Sequence, residues 1–165
     1  MAFESITDIK ITELLSIVKL VKNPSARSKE KDGHEQYNYK LHSETDDSEF
    51  ELYTRQNLRE GMEDDFSCGI SWLLPNGESF TLKRYNGPSH KHKNQLEGTL
   101  LKLKTHIHLS TEKYVRANRK PEGFAEETNR YHSLKGALHC LVVDCNITGI
   151  KTEPDDAIQT NLFDQ

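Results

Sequence analysis

The sequence has no run of about 18 apolar residues of the kind a membrane span needs. It also has no basic stretch leading into an apolar segment near its start, where Glu4, Asp8 and Lys10 alternate with apolar residues. Both absences point to a cytoplasmic protein with no membrane partner. Cysteine is scarce: Cys68, Cys140 and Cys145 cannot all pair internally, and none stands in a two-residue-spaced metal or redox motif. Inert thiols in a reducing compartment fit that usage. No unit of roughly 20–50 residues recurs, which excludes solenoids and propellers. Apolar residues are only 34% of the 165, against 29% charged, so the chain has material for one core and not for two.

Charge is unevenly spread. The formal net charge is -4, yet Lys83 to Lys120 holds ten Lys or Arg (Lys83, Arg84, Lys91, Lys93, Lys102, Lys104, Lys113, Arg116, Arg119, Lys120) against only Glu97 and Glu112. That segment is therefore at +8 and the remainder at −12. A basic stretch inside an acidic protein reads as a site for an anion, with nucleic acid the commonest large one. A solvated face whose charges interleave with the acidic strands would give the same count.

Apolar periodicity organises the rest. Ile11, Leu14, Leu15, Val18 and Val21 fall at three- and four-residue steps, predicting a helix from Thr7 or Asp8 to Pro24. Four segments have strand character: 36–44, 49–56, 66–74 and 79–85. Asp46-Asp47-Ser48 and Pro75-Asn76-Gly77 are hairpin turns between them. After Gly87-Pro88 the pattern reads as a loop, then a strand over 105–110 and a short helix over 111–119, ended by Pro121 and Gly123. From Thr128, the residues Tyr131, Leu134, Leu138, Leu141, Val142 and Cys145 mark a last helix that stops before Gly149. The expected fold is α+β: a single domain over 1–150, with an antiparallel sheet of four to five strands and an N-terminal and a C-terminal helix packed on it. Residues 151–165 read as a mobile acidic tail whose apolar pair is Leu162-Phe163.

Four of eight histidines fall within nineteen residues as two His-x-His pairs, His90-Lys91-His92 and His106-Ile107-His108. On a strand this spacing puts both rings of a pair on one face. Such a cluster can ligate a metal, with Glu97 completing the set, and act in a metal-dependent hydrolase. It can also cleave RNA without a metal or cofactor. One imidazole then takes the proton of a ribose 2′-hydroxyl and another protonates the departing 5′-oxygen, while Arg84, Lys91 or Lys93 stabilise the charge on phosphorus oxygens. Cations crowding the histidines favour the second reading. Lys83, Tyr85, Lys91, Lys93, Asn94, Lys113, Tyr114 and Arg116 are the candidate RNA-binding residues, with tyrosines as stacking faces. His34, His42 and His139 lie outside the cluster and read as incidental.

The run from Lys83 to Asn94, then Glu97-Gly98, then His106-Ile107-His108-Leu109-Ser110-Thr111-Glu112-Lys113-Tyr114, is similar to TumE-like toxins of toxin–antitoxin modules. There an Arg-aromatic-Asp/Asn segment leads into a His-rich loop and a His-x-His strand. The similarity covers about Thr81 to Tyr114, and Asn86 stands where an acidic residue is commoner. It implies a ribonuclease-type toxin whose active-site set is Arg84, His90, His92, His106 and His108. The expected partners are RNA and a cognate antitoxin or a ribonucleoprotein target, and a homodimer is compatible with the sequence. The competing reading is a non-catalytic RNA- or ribonucleoprotein-binding inhibitor of the anti-defence kind, which has no reason to bring four histidines together.

Overall fold

The computed structural model describes residues 5–156. The elements in chain order are α1 (Asp8–Ser16), β1 (Lys19–Val21), β2 (Lys29–Lys31), β3 (His34–His42), β4 (Glu49–Asn57), β5 (Phe66–Leu73), β6 (Ser79–Asn86), β7 (His92–Lys93), β8 (Leu100–Leu101), β9 (His106–Leu109), α2 (Glu112–Arg116), β10 (Phe124–Glu127), α3 (Leu134–Asp144) and β11 (Ile147–Thr148). The expected sheet of four to five antiparallel strands is overturned. A nine-stranded mixed sheet runs β10-β9-β6-β5-β4-β3-β1-β11, with β2 also on β3, and β7 and β8 form a separate ribbon. The pair β1–β11 is parallel and the other pairs are antiparallel. Among the described residues no helix is long and apolar enough to cross a membrane.

Of the four long strands, β4 and β6 alternate buried and accessible side chains over most of their length, β3 does so only toward its end, and β5 buries Cys68, Gly69 and Ile70 in succession at the centre of the sheet. Gly77 takes φ +88° in the turn before β6, a conformation that a side chain would strain. Phe50, Leu52, Cys68 and Ile70 on this sheet pack with Ala137 and Leu141 of α3, and α1 adds Ile11 and Leu14. The same core carries a polar clamp. Tyr85 Oη donates to the Asp144 carboxylate, which also takes a bidentate pair from Arg130 at 2.9 and 2.8 Å and faces Lys83 Nζ at 3.6 Å.

The first helix stops at Ser16, well before Pro24. Ile17 is extended (φ −64°, ψ 148°), and Val18, counted in the helical stripe, is 58% exposed. The chain exchanges helical bonds for sheet bonds to β3 and β11. Lys19 marks the switch. It is fully buried and donates from Nζ to the carbonyls of Leu15 (2.9 Å), Ile17 (2.9 Å) and Cys145 (2.8 Å), satisfying oxygens that the ends of α1 and α3 leave unpaired. Burial pulls its pKa down to about 8, which leaves it a cation at neutral pH.

The last helix likewise begins at Leu134, capped by the Ser133 side chain, and the chain then turns back as β11. At 151–156 the backbone runs over the start of α3, where Asp155 accepts from His132 N at 2.6 Å and from Ser133 Oγ. Leu162-Phe163 lie outside the described residues.

One irregularity decides which residues share a face. Ser71 pairs with Thr81 but Ile70 pairs with Lys83, so Leu82 is an extra residue in β6. The bulge shifts the alternation by one: Phe80, Leu82 and Tyr85 are all buried, and Arg84 goes to the opposite face. Without it, the alternation set by Phe80 and Leu82 would drive Arg84 into the core.

Candidate active site

Pairing register puts two rows of side chains on the face turned away from α3, because directly opposed residues of neighbouring strands point the same way. One row is Tyr53, Gly69, Arg84, His108 and Ala125. The next is Arg55, Ser67, Asn86, His106 and Glu127. Gly69 is needed in the first row, since a Cβ there would lie 2.8 Å from the Tyr53 ring. The β7–β8 ribbon folds over the end of these rows and adds His92. Asn94 anchors it by pairing with the free backbone of β10, donating to Ala125 O (2.9 Å) and accepting from Ala125 N (2.8 Å).

Three imidazoles converge there. Ring centroids are 4.6 Å apart for His92–His108, 5.0 Å for His106–His108 and 5.7 Å for His92–His106. His106 and His108 are 2% and 4% exposed. Each ring has one nitrogen held by an acceptor: His106 Nδ1 faces Lys104 O at 2.6 Å and His108 Nδ1 faces Glu122 O at 2.9 Å. His92 Nε2 faces Gly123 O and Asn94 Oδ1, both at 2.9 Å. A carbonyl oxygen can only accept, so those nitrogens carry the protons and, in the neutral rings, the opposite nitrogens are acceptors. Burial, reinforced by the charges of His92, Arg84 and His90, holds His106 below the usual histidine range. Burial and then Arg84 push His108 down to about 3. Both rings are neutral at pH 7.

Beside them two buried polar atoms, Arg84 Nε and Asn86 Oδ1, make no hydrogen bond among the described residues. Buried donors and acceptors are rarely left so, because the desolvation is uncompensated. Asn86 also lines a cleft of about 360 Å³ with His34, Arg55, Asp65, Phe66, Ser67, Ser89 and His90. The site thus runs from the buried triad past Asn86 into an open cleft.

The structure therefore brings together Arg84, His92, His106 and His108. It sets His90 apart, 3.6 Å from Asp65 Oδ1 at the cleft. Of the candidate RNA-binding residues, Lys91 and Lys93 are exposed on or beside the ribbon. Lys83 and Tyr85 lie on the other face, engaged with Asp144. Asn94 and Tyr114 are buried, and Tyr114 Oη donates to Glu97 Oε1 (2.6 Å) while Lys113 Nζ donates to Glu97 Oε2 (2.7 Å), so α2 holds the ribbon's turn. Arg116 Nη2 donates to Ile6 O at 2.9 Å. His34, which reads as incidental in the sequence, faces Asp65 in this cleft at 3.5 Å. Local spacing carries no signal for this pair, because His34 starts β3 and Asp65 ends the loop before β5, and only the folded sheet brings them to His90.

Among the described residues no group of three or more His, Cys, Asp or Glu side chains is arranged to hold a metal ion, the triad included. Comparison with family models, curated proteins and solved structures finds no match for this chain.

Proposed function

We propose that the groove binds single-stranded RNA and cleaves it without a metal. The observation that carries this is the pairing of acceptor nitrogens on neutral, fixed imidazoles with an arginine whose buried Nε is unpartnered among the described residues. That arrangement complements a hydroxyl next to an anion, which is what a ribose 2′-hydroxyl beside its phosphodiester presents. His106 Nε2 takes the hydroxyl proton, and the 2′-oxygen attacks phosphorus. Arg84 donates to non-bridging oxygens that gain charge in the transition state, a contact worth more there than in the ground state. Exposed Lys91 and Lys93 give the ribbon a cationic rim for flanking phosphates. The similarity of 81–114 to TumE-like toxins supports the same reading, and with it a cytoplasmic RNA target and an antitoxin partner.

The test is incubation of labelled single-stranded RNA with the purified protein in excess EDTA. Cleavage leaving 2′,3′-cyclic phosphate and 5′-hydroxyl ends is expected. RNA bound but left intact would replace the enzyme by a binding protein, and activity that EDTA abolishes and a divalent metal restores would make the histidines ligands.

A further inference from the structure

Metal-free cleavage needs a second group, since the departing 5′-oxygen must receive a proton as its bond to phosphorus breaks. His108 is neutral and buried and cannot supply one at pH 7. The open cleft holds a different arrangement. Asp65 Oδ2 accepts from Asn57 Nδ2 at 2.9 Å and faces His34 Nε2 at 3.5 Å, while Oδ1 accepts from Ser89 Oγ at 3.2 Å and faces His90 Nε2 at 3.6 Å. Each carboxylate oxygen therefore meets one neutral donor and one imidazole. Burial raises the Asp65 carboxyl, but the bonds from Asn57, His34 and Ser89 and the His90 charge outweigh it and keep the group ionised. His34 is tied at its other nitrogen to Asp32 O (3.1 Å), whereas the His90 side chain is 74% exposed and its Nδ1 makes no hydrogen bond among the described residues.

We propose that this cleft is the leaving-group half of the active site, with His90 as the general acid, Asp65 as the carboxylate that positions its ring, and Arg55 as a second phosphate contact. The proposal rests on the RNA-cleavage reading. In the step, His106 accepts the 2′-hydroxyl proton, the 2′-oxygen–phosphorus bond forms and the phosphorus–5′-oxygen bond breaks. His90 Nδ1 gives its proton to that oxygen. The protein ends with the proton on His106 and a neutral His90, and solvent exchange restores both. The proximity is supported by Asn86, which adjoins His106 in the ladder and lines the cleft, and by the His90 charge acting on His106.

Two substrates separate this idea from the reading beneath it: an RNA oligonucleotide, whose alkoxide needs a proton, and a nucleoside 3′-(4-nitrophenyl phosphate), whose leaving group departs without one. His90→Ala and Asp65→Asn should lose about 10²–10³-fold on RNA but no more than about threefold on the ester, while His106→Asn loses on both. His90 is exposed, so its variant tests the idea even if Asp65→Asn folds poorly. Equal losses on the two substrates, or no loss on either, with wild type cleaving both, would overturn the acid role alone. A wild type that cleaves neither would overturn the RNA-cleavage reading and this one with it.

Discussion

His106→Asn is expected to cleave RNA about 10²–10⁴-fold more slowly than wild type while binding it with little change. Asparagine can still donate to Lys104 O, so the variant keeps the strand's local bond and removes the acceptor nitrogen alone. The loss should fall on kcat. Because His106 must be neutral to act and its burial lowers its pKa, the acid limb of the wild-type pH–rate profile should lie below the ordinary histidine midpoint of 6.5. A variant as fast as wild type, or one that fails only in binding, would remove His106 from the chemistry.

The second large effect is on stability. His108 has a folded pKa of about 3 against the ordinary histidine value of 6.5, so between those values the unfolded chain binds a proton that the folded chain refuses. Stability from this group is complete above pH 6.5 and is lost as pH falls toward 3. The slope reaches at most about 1.4 kcal/mol per pH unit, and the whole window is worth on the order of 2–5 kcal/mol. His108→Asn retains a donor for Glu122 O and removes the titration. Denaturant unfolding at pH 6.5 and 5.0, above the range where most carboxylates titrate, should show wild type losing about 1–2 kcal/mol more than the variant. Parallel losses would mean that the ring is protonated in the fold without penalty. His106 shifts stability in the same direction in both proteins and so cancels from the comparison.

The parts of this fold legible in sequence are those with long patterns. Strands β3 to β6 are eight or nine residues each, enough for alternation and turn chemistry to stand out, and the observed bounds differ from the expected ones by no more than two residues. The strands that overturn the expected sheet are short: β1, β2, β10 and β11 span two to four residues. Their pairing comes from tertiary contacts, and Val18 even extended a false helical stripe into β1. The His-x-His pair on β9 was legible because a strand's period of two needs no partner to be read. His92 joins it through the ribbon, whereas its sequence neighbour His90 turns to Asp65, a separation that spacing does not encode. Lys83 and Tyr85 read as RNA-binding residues beside a catalytic Arg84, yet adjacent strand residues point to opposite faces, and the bulge at Leu82 puts Arg84 alone of the three on the histidine side.

The most direct measurement on the central claim is single-turnover cleavage of an RNA oligonucleotide against the same oligonucleotide carrying a 2′-deoxy sugar at the cut position, both in EDTA. If neutral imidazoles on this face activate the 2′-hydroxyl, wild type cuts the all-ribose strand and leaves the deoxy position intact while binding both. Cleavage at the deoxy position, or failure to cut the all-ribose strand, would contradict it.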